Sequence, residues 1–260
     1  MALLIGGRLS GHMLSLLDGS EAFLTGVFPR VPDISRLHVA VPTAQALLKS
    51  SETHLAHMAI PYSVSIHEDY LNRCIDMMCR AKGQAPSTIK PYKRKLVRIY
   101  TTLTEFGLAS PPQRMGDPFE LVRRIRNQIV HDSGAIGDVL SFYRSSEKLP
   151  DEWRGMAKRD LDHRDDAHLR LEAAELYAAL GVLKRLADWL NKALQAAIDR
   201  PAWAAIVLDA FSTQGPEGNP DQVAKRLRGF IRHNYGVLGL TPNDVAAAAT
   251  AQGRPVHWRI

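Results

Sequence analysis

The segment from Leu169 to Ala197 constrains the fold more than any other part of the chain. Leu169, Ala173, Leu176, Leu180, Leu183, Ala187, Leu190, Leu194 and Ala197 follow one another in alternating steps of four and three residues. That spacing is the a/d seam of a heptad, sustained over about four heptads. The apolar edge must be covered, either by neighbouring helices of one bundle or by a second copy of the chain. Helices on both sides of it are available as cover, which favours the bundle.

Those neighbours announce themselves by their starts and stops. Residues 43–58 read as a helix with Thr43 at its cap. Ser65 and Glu68 have capping-box spacing and open the next helix, in which Leu71, Cys74, Ile75 and Met78 keep helical period until Gly83. A helix over roughly 90–106 places Leu96, Tyr100, Leu103 and Phe106 on one side and stops at Gly107. Asp117 then caps a helix with Pro118 in its first turn. A short helical piece near 136–146 and a charged connector over 147–166 lead to the heptad segment. Beyond Pro201 come three short helices, 201–211, 220–233 and 242–252; Asn219 and Thr241 cap the last two. Strand signals are sparse. The expected architecture is all-α: an N-terminal helical extension over 1–60, a helical bundle over 61–200 and a C-terminal helical extension over 201–260.

Composition narrows the class. Hydrophobic residues make up 45% of the 260, enough for a sizeable core, and the net charge is +6. That surplus favours anionic partners such as nucleic acid. The two cysteines, Cys74 and Cys79, lie five residues apart on one helix, about 7.5 Å along its axis, too far to pair with each other there. Free thiols suit a reducing compartment. No apolar run approaches the length of a membrane span, and the N-terminus lacks a signal peptide's unbroken core. A cytoplasmic protein is expected, without a membrane partner.

The stretch VRRIRNQIVH, residues 122–131, carries the chemistry. On a helical wheel Phe119, Val122, Ile125 and Ile129 gather on one side and must face the core. Arg123, Asn127 and His131 gather nearly opposite, and Arg126 sits at the border. His131 therefore points away from the apolar stripe, unlike a core histidine. The bland alternative is a solvated face whose terminal histidine complements the helix dipole.

Arg126-Asn127-Gln128-Ile129-Val130-His131 resembles the R-N-x-x-x-H signature of the HEPN superfamily. The resemblance covers about residues 61–200, with the motif on the third of four main helices and a long amphipathic helix after it. It implies a HEPN-like helical bundle and a metal-independent endoribonuclease. Family members act in toxin–antitoxin and anti-phage defence systems, generally as homodimers whose motifs meet at the interface. By the resemblance, His131 serves as general base or acid on the RNA 2′-hydroxyl and the leaving oxygen. Arg126 binds the scissile phosphate, and Asn127 positions the phosphate or the histidine. The products are a 2′,3′-cyclic phosphate and a 5′-hydroxyl. No metal or cofactor is implied. A neutralising antitoxin or a regulatory protein is a further partner of this class. Some relatives carry a tyrosine two residues after the histidine, which a partner enzyme modifies; Ser133 stands there in this chain.

Arg126 and His131 are about 140° apart around an ideal helix. Within one chain they converge only if Arg126 bends back or the helix ends early; convergence across a dimer removes the difficulty.

Other features compete for attention. Lys93, Arg94 and Lys95, with Lys90, Arg98, Tyr92 and Tyr100, form a basic and aromatic stretch suited to an RNA backbone, and Arg123 joins them as a phosphate contact. Lys225, Arg226, Arg228 and Arg232 form a second basic cluster. A solvated helix face explains either cluster equally well. Asp162, His163, Asp165, Asp166 and His168 have metal-binding side chains, but read better as a charged connector into the long helix. The pair His131-Asp132 is also similar to that of HD-domain phosphohydrolases. That chemistry needs a further histidine (His54, His57 or His67) and a downstream aspartate (Asp160 or Asp162), and leaves Arg126 and Asn127 without a role. A third alternative is a non-catalytic HEPN-like module that binds RNA or protein.

Overall fold

The computed structural model describes residues 2–131, 136–161, 163–165, 168–169, 171–214 and 218–254. Among them the fold is all-α. In chain order the helices are α1 (Ala2–Ser15), α2 (Leu24–Val27), α3 (Val41–Ala81), α4 (Leu96–Glu105), α5 (Gln113–His131), α6 (Ile136–Ser145), α7 (Leu149–Ala157), α8 (Ala173–Ala197), α9 (Arg200–Ser212), α10 (Pro220–Tyr235) and α11 (Pro242–Ala251). Extended pairing among the described residues is confined to β1 (His163–Asp165) and β2 (His168–Leu169), a short antiparallel ladder, and one isolated bridge, Phe23 to Ala40.

Several elements differ from the sequence reading. The helix expected over roughly 90–106 begins only at Leu96, after a 3-10 turn at Pro91–Arg94, and Thr43, expected as a cap, lies inside α3. The helix expected to end at 58 continues without a stop to Ala81, with Pro61 inside it. Ser65 does not cap a new helix: its hydroxyl donates back to the Pro61 carbonyl at 3.1 Å. Glu68 does cap, but a different helix, since its Oε1 accepts the Leu96 N–H at the start of α4, 3.2 Å away. The helix expected to start at Asp117 begins at Gln113, with Pro118 one turn inside it. The connector 147–166 contains α7, whose acidic and basic residues flank a buried edge of Leu149, Trp153 and Ala157.

The heptad helix is buried on a broad face. Leu176, Leu183, Leu190 and Leu194 are buried as the seam requires, whereas Leu180 is 40% exposed. Ala178, Ala179, Val182 and Leu186, outside the seam, are buried as well. A straight α-helix drifts about 20° per heptad from a strict 3.5-residue repeat, so the buried face slides off the seam along the helix.

The chain forms two compact units, each from two segments: residues 1–65 with 113–185, and residues 66–112 with 186–260. This division cuts across one at 60/61 and 200/201. In the first unit α5 packs against α6 and α7. The start of α8 there is held by a buried ion pair. Glu175, 0% exposed, takes Arg159 Nε at 2.6 Å and Nη2 at 2.5 Å, and accepts the Glu172 N–H at 2.8 Å. Three hydrogen bonds, two from Arg159 and one from the Glu172 N–H, offset the cost of taking that carboxylate out of water. In the second unit Leu71, Ile75, Met78, Ile99, Leu103, Leu190, Leu194 and Trp203 share one core. A second core joins α9, α10 and α11 through Val207, Leu208, Phe211, Leu227 and Val245. Both α10 and α11 open with complete capping boxes, Asn219 with Gln222 and Thr241 with Asp244.

Candidate active site

α5 positions the motif. Its buried residues are Pro118, Phe119, Leu121, Val122 and Ile125, which fix the rotation of the helix about its axis. Arg126 and Asn127 are half-buried at the border of that face, and His131, the last described residue of α5, is exposed. Asp132 and Ser133 lie outside the described residues.

Three arginines follow one another closely on this helix and have different fates. Arg123 is held by Glu120 through Nε and Nη2, at 2.7 and 2.6 Å. Arg124 also reaches Glu120, at 2.9 Å, and Asp138 at 2.6 Å, with its guanidinium 4.5 Å from the centre of the Phe142 ring. Burial pushes the Glu120 carboxyl up, but the hydrogen bonds and charges of Arg123 and Arg124 outweigh it and hold Glu120 below its ordinary range. Arg126 is treated otherwise. Its Nη1 donates to Asn127 Oδ1 at 3.0 Å, and among the described residues it faces no carboxylate. A neutral amide orients this guanidinium without cancelling its charge, leaving most of its five N–H donors for an anion.

The bond to Asn127 also bears on convergence. Asn127 and His131 are four residues apart and so neighbours on one helical face. Arg126 leans toward that face to reach Asn127, which turns the guanidinium toward the side of α5 that carries His131.

The basic residues expected to contact RNA divide sharply. Lys93 Nζ is 2.5 Å from Glu105 Oε2, and Arg94 Nη2 bonds Asp76 at 2.7 Å and the Pro86 carbonyl at 2.9 Å. These two cations pin the turn segment 86–95 to α3 and α4, and Arg123 is neutralised by Glu120. Lys95, together with Lys90 and Arg98, is exposed. The residues sequence reading missed are the neutralisers. Glu120, three and four residues before Arg123 and Arg124, has the spacing of intrahelical ion pairs and was visible in principle. Gln128 beside the motif has a buried Oε1 that lacks a hydrogen-bond partner among the described residues, and nothing in the sequence signals it.

Several groups needed for metal chemistry are engaged elsewhere. His67 is buried and hydrogen-bonds Tyr100 Oη at 3.1 Å. Asp160 accepts from Arg154 at 2.9 Å and from Tyr143 at 3.1 Å. Among the described residues no three His, Cys, Asp or Glu side chains group to hold a metal ion. Asp162 and Asp166, and the side chains of His163, Asp165 and His168, lie outside the described residues. Among the described residues no helix is long and apolar enough to cross a membrane. No protein-family model matches the chain, and no curated protein or solved structure is significantly similar to it.

Proposed function

We propose that this protein is a metal-independent endoribonuclease of the HEPN type, acting on RNA as a homodimer in a toxin or anti-phage defence role. The observation that carries the reading is the contrast along α5: Arg123 and Arg124 are neutralised by carboxylates, while Arg126 is oriented by an amide and keeps its charge.

In this reading the phosphate of an RNA strand binds Arg126. His131 takes the proton of the 2′-hydroxyl, and the 2′-oxygen attacks phosphorus in line with the 5′-oxygen. The new P–O2′ bond forms as the P–O5′ bond breaks. Arg126 stabilises the charge that builds on the non-bridging oxygens. An imidazolium, His131 of a second copy of the chain, gives its proton to the leaving 5′-oxygen. Asn127 holds the Arg126 guanidinium in place. A neutralising or regulatory protein partner accords with a toxin role.

The test is His131→Ala, with cleavage and thermal melting measured together in EDTA. Wild-type protein is expected to cut RNA and the variant to lose cutting while its melt is unchanged, because His131 is exposed. Equal cutting by both proteins refutes the assignment. Wild-type protein that binds RNA but never cuts it points to a non-catalytic module.

A further inference from the structure

The exposed face of α10 has a charge surplus that the active-site reading does not use. This helix buries Val223, Leu227 and Ile231 against the core it shares with α9 and α11. Its solvent side presents Lys225, Arg226, Arg228, Arg232 and His233, all exposed, against a single acid, Asp221, in its first turn.

The neighbouring carboxylates are committed. Asp199 caps α9 at the Ala202 N–H, 2.8 Å away. Asp209 pairs with Arg254 at 2.9 Å, and Asp244 pairs with Arg200 at 2.7 Å. Among the described residues Lys225, Arg228 and Arg232 have no carboxylate partner.

The cations are ordered as well as concentrated. On a wheel Lys225, Arg228 and Arg232 fall within about 60°, over about 10.5 Å of axis. Arg226 and His233 form a second row about 100° round from Lys225 and Arg232. Between the rows lies Gly229, where an added Cβ would meet nothing within 4 Å. A glycine inside a helix costs stability relative to alanine, and no packing among the described residues requires one here. Its effect is a low floor beside the cationic row of Lys225, Arg228 and Arg232, where a backbone or ligand can approach closely.

We infer that this trough binds the sugar–phosphate backbone of a nucleic-acid strand. A membrane is a poorer occupant. The apolar residues that would anchor an amphipathic helix in lipid are the ones α10 already buries in the protein. The inference rests on the ribonuclease reading for the class of ligand, yet binding is measurable without cleavage.

The experiment uses the full chain and a fluorescein-labelled 2′-O-methyl oligouridylate, which has no 2′-hydroxyl to attack. Anisotropy titrations are made at several salt concentrations, with melting curves for each variant. Three phosphate contacts contribute about 2 to the log–log salt slope for a single strand. Lys225→Gln/Arg228→Gln/Arg232→Gln is therefore expected to lower the slope by about 2 and to weaken binding roughly ten-fold at low salt, with an unchanged melt. Gly229→Leu fills the trough without removing charge; it is expected to weaken binding at least several-fold while raising the melting temperature.

A triple variant that binds like wild type with the same slope overturns the inference. So does wild-type protein that ignores the oligonucleotide, or prefers an acidic peptide or vesicles of phosphatidylcholine and phosphatidylserine. Binding through α10 by a protein that never cuts RNA leaves this inference standing and sinks the role of His131.

Discussion

Asn127→Asp isolates the feature on which the active-site reading rests. It replaces an amide by a carboxylate of nearly the same shape, so the bond to Arg126, now 3.0 Å, persists geometrically and becomes an ion pair. Two unit charges that close, at an effective dielectric constant near 20, attract by about 5 kcal/mol before solvent screening. Both side chains are half-buried, so screening and side-chain entropy reduce this, and hydrogen bonds to charged groups contribute about 1.5–3 kcal/mol net. A phosphate must compete with that pair for the guanidinium. The expected loss in kcat/KM is therefore about 10- to 150-fold, at roughly 1.4 kcal/mol per factor of ten. Cleavage of a labelled RNA under single-turnover conditions measures it, and a melting curve shows the fold intact or slightly stabilised. Asn127→Ala removes the orienting bond but leaves the charge, and is expected to cost less than Asn127→Asp. If Asn127→Asp cuts as well as wild type, or less is lost than in Asn127→Ala, the charge of Arg126 is not what the site uses.

Other consequences concern the fold around the site. Burial lowers His67 from 6.5 to about 4, so the imidazole is neutral when folded and protonates more readily when unfolded. Its contribution is intact above pH 6.5 and is lost as pH falls toward 4, by about 2 kcal/mol between pH 7 and pH 5. His67→Gln, compared with wild type in urea unfolding at those two pH values, should lack that part of the acid sensitivity. Removing Arg159 strands the buried Glu175 carboxylate; Arg159→Met should cost about 3–5 kcal/mol, and adding Glu175→Met should recover most of it in the same assay. Because Glu120 already neutralises Arg123, Arg123→Gln should change RNA affinity less than two-fold, whereas Arg126→Gln should abolish cleavage. Equal effects of the two substitutions would contradict the distinction drawn between them.

Much of the fold was legible because its signals are local. The caps Asn219 and Thr241, each followed by proline, mark the starts of α10 and α11, and the apolar period marks α8. What was not legible depended on distant partners. The spans 43–58 and 65–83 read as two helices, yet α3 runs unbroken through Pro61 to Ala81. Glu68 reads as the end of a local capping box, yet its carboxylate caps α4, 28 residues on. In α7 the charges around Trp153 hid a buried edge of only a few residues. At the site, the wheel placed Phe119, Val122 and Ile125 on the buried side of α5 from hydrophobic period alone, but it included Ile129, which is half-buried, and left out Leu121, which is buried. It set Arg126 at the border and Arg123 on the polar side, but did not show which of them is neutralised, because that lies in which acceptor each guanidinium meets. A count of positive charges cannot make that separation, and the same limit applied to Lys93 and Arg94.

The chemistry of the cut ends tests the account most directly. Wild-type protein in EDTA, given an RNA and the same RNA with a 2′-deoxy nucleotide at the cleavage position, should leave a 2′,3′-cyclic phosphate and a 5′-hydroxyl on the first and leave the second whole at that position. Ends bearing a 3′-hydroxyl and a 5′-phosphate, or cutting that chelator abolishes, would contradict it.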